Sequence, residues 1–493
     1  MNELSIASGL SIEPLVLREL RVSSTRILWL KVILTGGILL ASTLSAFAAA
    51  PIDGAKLPWP LALPFAGMLL SIALGPIVVK EWWHIHYEKA AAFWALAVLT
   101  GLAACAGFET AVAALLHSLL ADYLPFILML FALYTASGGI VIEGLSDGSP
   151  GRNTLTLALG AAMASFIGTI GASMILIWPL LVANASRVHK AHIVVFFIFL
   201  VSNIGGALMP LGNPPLFLGF LKGVDFFWTL RHLWPATVFT VTILLFVFFL
   251  LDCHFDRREI GVRPLVKGKL RLRGAINLWL IFVAILAIVT SGIWRPGLGF
   301  EVLGTRVELQ NLLRESLMVL VGLASFALTD PRLRATNRFD WEPIREVAYL
   351  FAGIFITMVP MMAMLRAGPQ GPFHVVITAL TNADGTPDNA IYFWATGSLS
   401  AFLDNAPTYL VFFQLAGGKP DELMGPLATT LSAISLGAVF MGALSYIGNA
   451  PNFMVYAIAR SANVRMPSFF AYLIWSFVFL LPLYVVLTFL FLL

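Results

Sequence analysis

An aspartate, an asparagine and a threonine sit close together in Ser400-Ala-Phe-Leu-Asp404-Asn405-Ala-Pro407-Thr408, inside an otherwise apolar stretch. Asn213 and Asn449 each follow a glycine and precede a proline, and Thr169 and Ser173 place hydroxyls in another apolar run. Neutral hard oxygens of this kind suit a small alkali cation once backbone carbonyls and a carboxylate join them. Asp404 is that carboxylate. Burial favours the neutral carboxyl, so such an aspartate can take up a proton as the cation leaves, the minimum equipment for exchanging Na⁺ or Li⁺ for H⁺ at one site. It would repel a citrate or succinate anion, and no Lys or Arg is expected in the core spans to offset that repulsion.

The elements that must position these residues repeat. Gly206-Ala-Leu-Met-Pro-Leu-Gly-Asn-Pro-Pro-Leu-Phe217 and Gly442-Ala-Leu-Ser-Tyr-Ile-Gly-Asn-Ala-Pro-Asn-Phe453 share seven of twelve positions at an offset of 236. Gly-Asn and Pro interrupt a long apolar segment in both copies. The broken backbone is tolerated at membrane depth where it lines a cavity, and a matched pair of breaks points to a transporter's binding site. A break also exposes carbonyls at one half-helix end and N–H groups at the other, so it can hold a cation or an anion.

Composition sets the class. The chain is 59% hydrophobic and 11% charged, with a mean hydropathy of +0.90, against about 25% charged for a soluble globule. It reads as an all-α polytopic membrane protein. Spans are expected at 60–79, 90–107, 123–145, 191–220, 229–251, 275–293, 314–329, 347–366, 426–459 and 468–493, with apolar hairpins at 155–184 and 390–415. If each hairpin enters and leaves on one side, the basic loops all fall in the cytoplasm: Lys80 and Lys89, Arg152, Arg187 and Lys190, the run 257–273, Arg332 to Arg345, and Arg460 and Arg465. The outside loops, such as 107–122, are then poor in Lys and Arg. The net charge of +4 is therefore a topology signal and does not imply nucleic acid.

Gly168-Thr-Ile-Gly-Ala-Ser173 aligns with Leu403-Asp-Asn-Ala-Pro-Thr408 at an offset of 235. Hairpin and break thus repeat in nearly one register. Five spans, an odd number, separate equivalent points, so the copies are expected upside down to each other, with re-entrant hairpins opening inward in the first and outward in the second. The domains expected are a first inverted repeat at 51–251, a basic cytoplasmic linker at 252–274 that could touch anionic lipid, and a second repeat at 275–493. Residues 1–50 read as a signal peptide or an uncleaved first helix, and either starts in the cytoplasm and puts residue 51 outside.

The hairpin signature around Asp404 and the paired Gly-Asn-x-Pro breaks resemble the ion transporter superfamily. From residue 55 onward the chain is similar to its citrate transporter-like branch, to which sodium/proton antiport is ascribed. Relatives in the superfamily carry dicarboxylates, citrate, arsenite or sodium. The resemblance implies a scaffold domain, a mobile transport domain, elevator-type movement and a homodimer. Dicarboxylate carriers have Ser-Asn-Thr at both hairpin tips, a pattern this chain replaces at both.

Other roles compete for these residues. Asp404-Asn405 could cap a hairpin helix, and Asn213 and Asn449 could bond stray carbonyls. Glu143 is a second candidate proton site or else an interfacial carboxylate. Glycines 138, 139, 205 and 206 fit close helix packing as well as a site. His84 and His86, beside Trp82 and Trp83, have metal or pH-sensor spacing, although a membrane-surface belt explains them better. Ser202-Asn203 lacks a counterpart in the second half. The two cysteines, Cys105 and Cys253, give neither a disulfide framework nor a metal site. No catalytic constellation competes and no Walker-type loop occurs, so no catalytic residue and no cofactor is expected and energy must come from an ion gradient. The reading is a bacterial inner-membrane Na⁺/H⁺ antiporter. A Na⁺- or H⁺-coupled carboxylate symporter is the alternative within transport, and a receptor or structural membrane protein the alternative outside it.

Overall fold

The computed structural model describes residues 52–144, 147–259 and 271–493. The expected leader or first helix at 1–50 and most of the basic linker lie outside them. The described chain is helical apart from two small antiparallel ribbons. Among the described residues, eight helices are long and apolar enough to cross a membrane, and shorter apolar helices lie between them.

One group of helices is continuous and contains no break. α1 (Leu63–Val78) and α2 (Lys80–Ala106) form an antiparallel hairpin that turns at Val79. Gly67 faces the Trp94 ring, Gly75 faces Trp83 and Gly101 faces Leu61, so the absence of a Cβ lets the bulky partner approach. α3 (Phe108–His117) runs through a π-turn at Ser118–Tyr123 into α4 (Leu124–Ser137). β1 (Val141–Glu143) follows.

The first hairpin then comprises α5 (Pro150–Ile167) and α6 (Thr169–Ala183), turning on Gly168 at φ 79°. The first broken helix comprises α7 (Ala191–Leu200), a 3₁₀ turn at Ile204–Ala207 and α8 (Pro214–Leu221). α9 (Trp228–Asp256) closes this half.

In the second half, β2 (Arg271–Arg273) pairs with β1, and α10 (Ile276–Ile293) leads into the β3 (Gly299–Val302) and β4 (Thr305–Glu308) ribbon. α11 (Leu309–Leu328), α12 (Pro331–Thr336) and α13 (Glu342–Arg366) follow. After α14 (His374–Ala379) come the second hairpin, α15 (Asn389–Ser400) and α16 (Asn405–Leu415), and the short α17 (Pro420–Met424). The second broken helix is α18 (Ala428–Met441), a 3₁₀ turn at Gly442–Leu444 and α19 (Ala450–Ser461); α20 (Phe469–Phe491) ends the chain.

Packing sorts these elements into two groups. α1 to α4, α10, α11 and α13 pack on one another, and the hairpins pack with the broken helices, α9 and α20. Within the second group the same positions touch in both halves. Ala161 meets Gly205, and Gly397 meets Met441; 397 minus 161 and 441 minus 205 are both 236. Gly206 likewise meets Gly212, and Gly442 meets Gly448. The glycine changes sides between the first two pairs, so each contact keeps one partner small enough for close approach.

The structure departs from the sequence reading in several places, among them the expected linker 252–274, whose first residues continue α9 to Asp256 and whose Arg271–Arg273 form β2. Lys80–Lys89 is not a loop but the opening turns of α2, because nothing there breaks a helix. The stretch 107–122 is likewise α3 and the π-turn, its Glu109 and Asp122 being carried on an Ala- and Leu-rich helix. The span expected to run to 145 stops at Ser137, where Gly138-Gly139 ends the helix and leads into β1.

Candidate functional site

The two breaks place their asparagines alike. Asn213 precedes α8 at φ −145°, ψ 141°, and Asn449 precedes α19 at φ −154°, ψ 140°; neither side chain caps its helix. Both side chains are therefore free to turn toward the opposite half. Asn405 Nδ2 donates to Asn213 Oδ1 at 3.5 Å, the outer limit of a hydrogen bond. Asn449 Nδ2 donates to Ser202 O and Asn203 Oδ1, both at 3.2 Å.

Asn203 extends this bridge. Its Nδ2 donates to Asn452 Oδ1 at 2.6 Å and to Ile198 O at 2.8 Å, and Asn452 Nδ2 donates to Gly442 O and Ser445 O. Ser173 and Ser202 share a hydroxyl contact of 2.9 Å. These groups are almost fully buried, so each carbonyl exposed by a break has to find a partner inside the protein. The Thr169 hydroxyl and Asn213 Nδ2 are buried and have no hydrogen-bond partner among the described residues. The Thr169 hydroxyl can still accept a cation or a water, whereas the Asn213 amide nitrogen can only donate, to a water or an anion.

Asp404 stands at the tip of the second hairpin. Its Oδ1 accepts from Ala406 N at 3.0 Å, and the Thr408 hydroxyl returns to Asp404 O at 3.0 Å. The carboxylate does cap α16, as the competing role required. It also lines a cavity of about 420 Å³ shared with Asn449, Met174 and Phe453. Lys80, His84, Asn337 and Arg338 line the same cavity from the ends of the unbroken helices. No Lys or Arg forms an ion pair with Asp404 among the described residues.

The candidate residues do not form one cluster. Asp404 and Asn449 share the large cavity, Asn405 meets Asn213, and Ser173 meets Ser202. Thr169 borders a separate void of about 50 Å³ between Gly212, Pro214 and Pro451, and its N–H donates to Gly212 O at 2.9 Å. Glu143 is not among the residues lining these cavities. It sits on β1, partly exposed, 3.3 Å from Arg273 Nη1. His84 faces the cavity mouth, and His86 packs on Trp82 with ring centroids 5.3 Å apart.

Sequence reasoning missed Asn452 and undervalued Asn203. Asn452 lies three residues after Asn449, on the same face of a helix, which was a usable signal. Asn203 had no counterpart because its partner is Asn452 itself, across the two halves.

A multi-pass helical protein whose two broken helices meet through buried asparagines beside a carboxylate-lined cavity belongs to the class of membrane transporters. The profile of a family described as "Putative citrate transport" matches residues 54–492, and the chain belongs to that family. Two curated relatives are similar over 64% of this chain. An uncharacterized transporter of Mycobacterium tuberculosis is 28% identical over 336 residues, 71% of its length. A 46 kDa membrane protein of Mycobacterium leprae is 25% identical over 335 residues, 72% of its length.

Proposed function

We propose that this transporter exchanges cytoplasmic Na⁺ or Li⁺ for external H⁺ across a bacterial inner membrane, with Asp404 as the group that alternately holds the cation and the proton. The observation that carries the reading is the Asp404 carboxylate, at a hairpin tip inside a cavity shared with Asn449 and without an ion-pair partner among the described residues. A cation entering the cavity would meet this carboxylate, the Asn449 amide and the carbonyls of the second break. Once the cation has left, a proton would keep the carboxyl neutral for the return step. The helices without breaks would form the scaffold and the hairpin group would move as an elevator, the two hairpin units lying inverted in the membrane and the assembly being a homodimer.

A second reading is coupled symport of a carboxylate such as citrate. It is favoured by the family's description; Arg338 and Lys80 line the cavity, although Asp340, Glu342 and Glu346 line it beside them. Dye-reported proton movement in proteoliposomes separates the two. Antiport requires that Na⁺ or Li⁺ collapse an imposed pH gradient with the parent protein and fail to do so with Asp404→Asn. A response to citrate alone would replace antiport with symport and make Asp404 a coupling-ion ligand.

A further inference from the structure

The ion pairs of the described residues divide between the two helix groups and the ribbons, with one exception. Arg187–Asp252 and Lys419–Glu422 lie within the hairpin group, Arg314–Glu315 and Arg345–Glu342 lie within the unbroken group, and Arg273–Glu143 lies within the β1–β2 ribbon. Lys222 Nζ and Asp122 Oδ1, 2.6 Å apart, join one group to the other. Lys222 directly follows α8, which packs on α16 and α18. Asp122 lies in the π-turn between α3 and α4, a turn that packs on α13 and β4. Both side chains are largely buried, at 24% and 13% exposure, so water screens the pair less than it does a surface bridge.

The pair also lies at a particular end of the molecule. α11 runs from Leu309 to Leu328, and Arg338, just beyond α12, lines the Asp404 cavity. The start of α11 is therefore at the opposite end from that cavity's mouth. There Gln310, Asn311 and Arg314 line a second cavity of about 590 Å³ together with Asp122 and Lys222. Next to the pair, Gly292 of α10 admits the Phe220 ring of α8. One end of the group boundary is open toward Asp404, and the other is fastened by a charge pair.

We infer that Asp122 and Lys222 form a latch that holds the state in which Asp404 opens toward the Arg338 end. This rests on the alternating-access reading above. Moving the hairpin group to expose Asp404 at the opposite end must carry Lys222 away from Asp122, and that separation leaves two partly desolvated charges unpaired. Neutralising either partner removes an attraction present in this state alone, and the population shifts toward the other.

The test reads position and not flux. Ala457, exposed on α19, lines the Asp404 cavity; as Ala457→Cys, in protein carrying Cys105→Ser and Cys253→Ser, it reports how often that cavity is open to a water-soluble thiol reagent. Lys222→Gln and Asp122→Asn are each expected to slow labelling by about fivefold, and the exchanged pair Asp122→Lys/Lys222→Asp to restore the parent rate. Unchanged or faster labelling in the neutral variants overturns the latch. So does slow labelling that the exchanged pair fails to restore, since that would report distortion and not a lost attraction. The outcome is independent of which ion the protein carries, so failure of Na⁺/H⁺ exchange and failure of the latch are separate results.

Discussion

The two hairpin units are built at matching positions but carry their charge at opposite ends. At the tips, Thr169 occupies the place of Asp404, since 404 minus 169 is 235, so the first tip is neutral and the second carries a carboxylate. At the bases the order reverses. Asp252 is fully buried and accepts from Arg187 Nη2 at 2.5 Å and Asn153 Nδ2 at 2.9 Å, with His192 Nε2 at 2.8 Å. Thr488, 236 residues later, instead accepts a neutral bond from Trp394 Nε1 at 3.1 Å, and Asn389 takes the Thr430 hydroxyl at 2.7 Å. Duplicated packing therefore does not require duplicated chemistry: one unit is fastened at its base by ions, and the other has its ionisable group where the cavity reaches.

The largest effect expected from this contrast is at the charged base. Asp252→Leu leaves the buried Arg187 guanidinium with neutral partners and only the more distant Asp256 carboxylate at 3.9 Å, a loss of about 3 kcal/mol. Thr488→Val removes two neutral bonds, one accepted from Trp394 and one donated to Tyr484 O, and should cost about 1–2 kcal/mol. Thermal unfolding in detergent compares the two. The pair Arg187→Met/Asp252→Leu should recover most of the loss, because the damage comes from the orphaned charge. Equal costs at the two bases would break the comparison.

A smaller difference is expected at the glycine contacts of the breaks. A Cβ on Gly212 would lie 2.2 Å from Gly206 O, whereas one on Gly448 would lie 2.8 Å from Ala401 O. Both obstacles are backbone, but the first clash is far deeper. Gly212→Ala should cost about 3 kcal/mol and Gly448→Ala about 1–2 kcal/mol in the same unfolding measurement.

The bridge between the breaks ranks next. Asn203→Leu deprives Asn452 and Asn449 of a shared partner, and a loss of about 2 kcal/mol is expected. Asn213→Leu, whose bond to Asn405 is 3.5 Å long, should cost less. A reversal of that order would make the Asn213–Asn405 contact the stronger link between the halves.

Much of this contrast was legible in the sequence because it lies in local, repeated signals. The Gly-Asn-x-Pro breaks, the hairpin offset and the lone Asp404 could all be read from spacing alone. The base cluster could not, since Asn153, Arg187, His192 and Asp252 come from four separate segments and only the fold brings them together. Arg187 reads as a loop charge and does lie in the loop between α6 and α7, but it is 4% exposed. Asp252 reads as the start of the basic linker, but α9 continues through it to Asp256. Hydropathy registers a charge as the end of a span and cannot see a partner that lets it be buried.

The smallest expected effect is at Glu143, and it tests the asymmetry most directly. Glu143 is the first half's remaining candidate for a titratable transport group. Its side chain is 42% exposed and 3.3 Å from Arg273, which is itself 56% exposed. An exposed pair of this kind contributes little, so Glu143→Gln should change stability by no more than about 0.5 kcal/mol. Lying outside the cavity that reaches Asp404, it should also leave the flux and its pH dependence at parent values in the proteoliposome assay. A Glu143→Gln protein that folds normally but no longer moves protons would place a second ionisable group in the transport cycle, and the two halves would then share the chemistry that their tips divide so unequally.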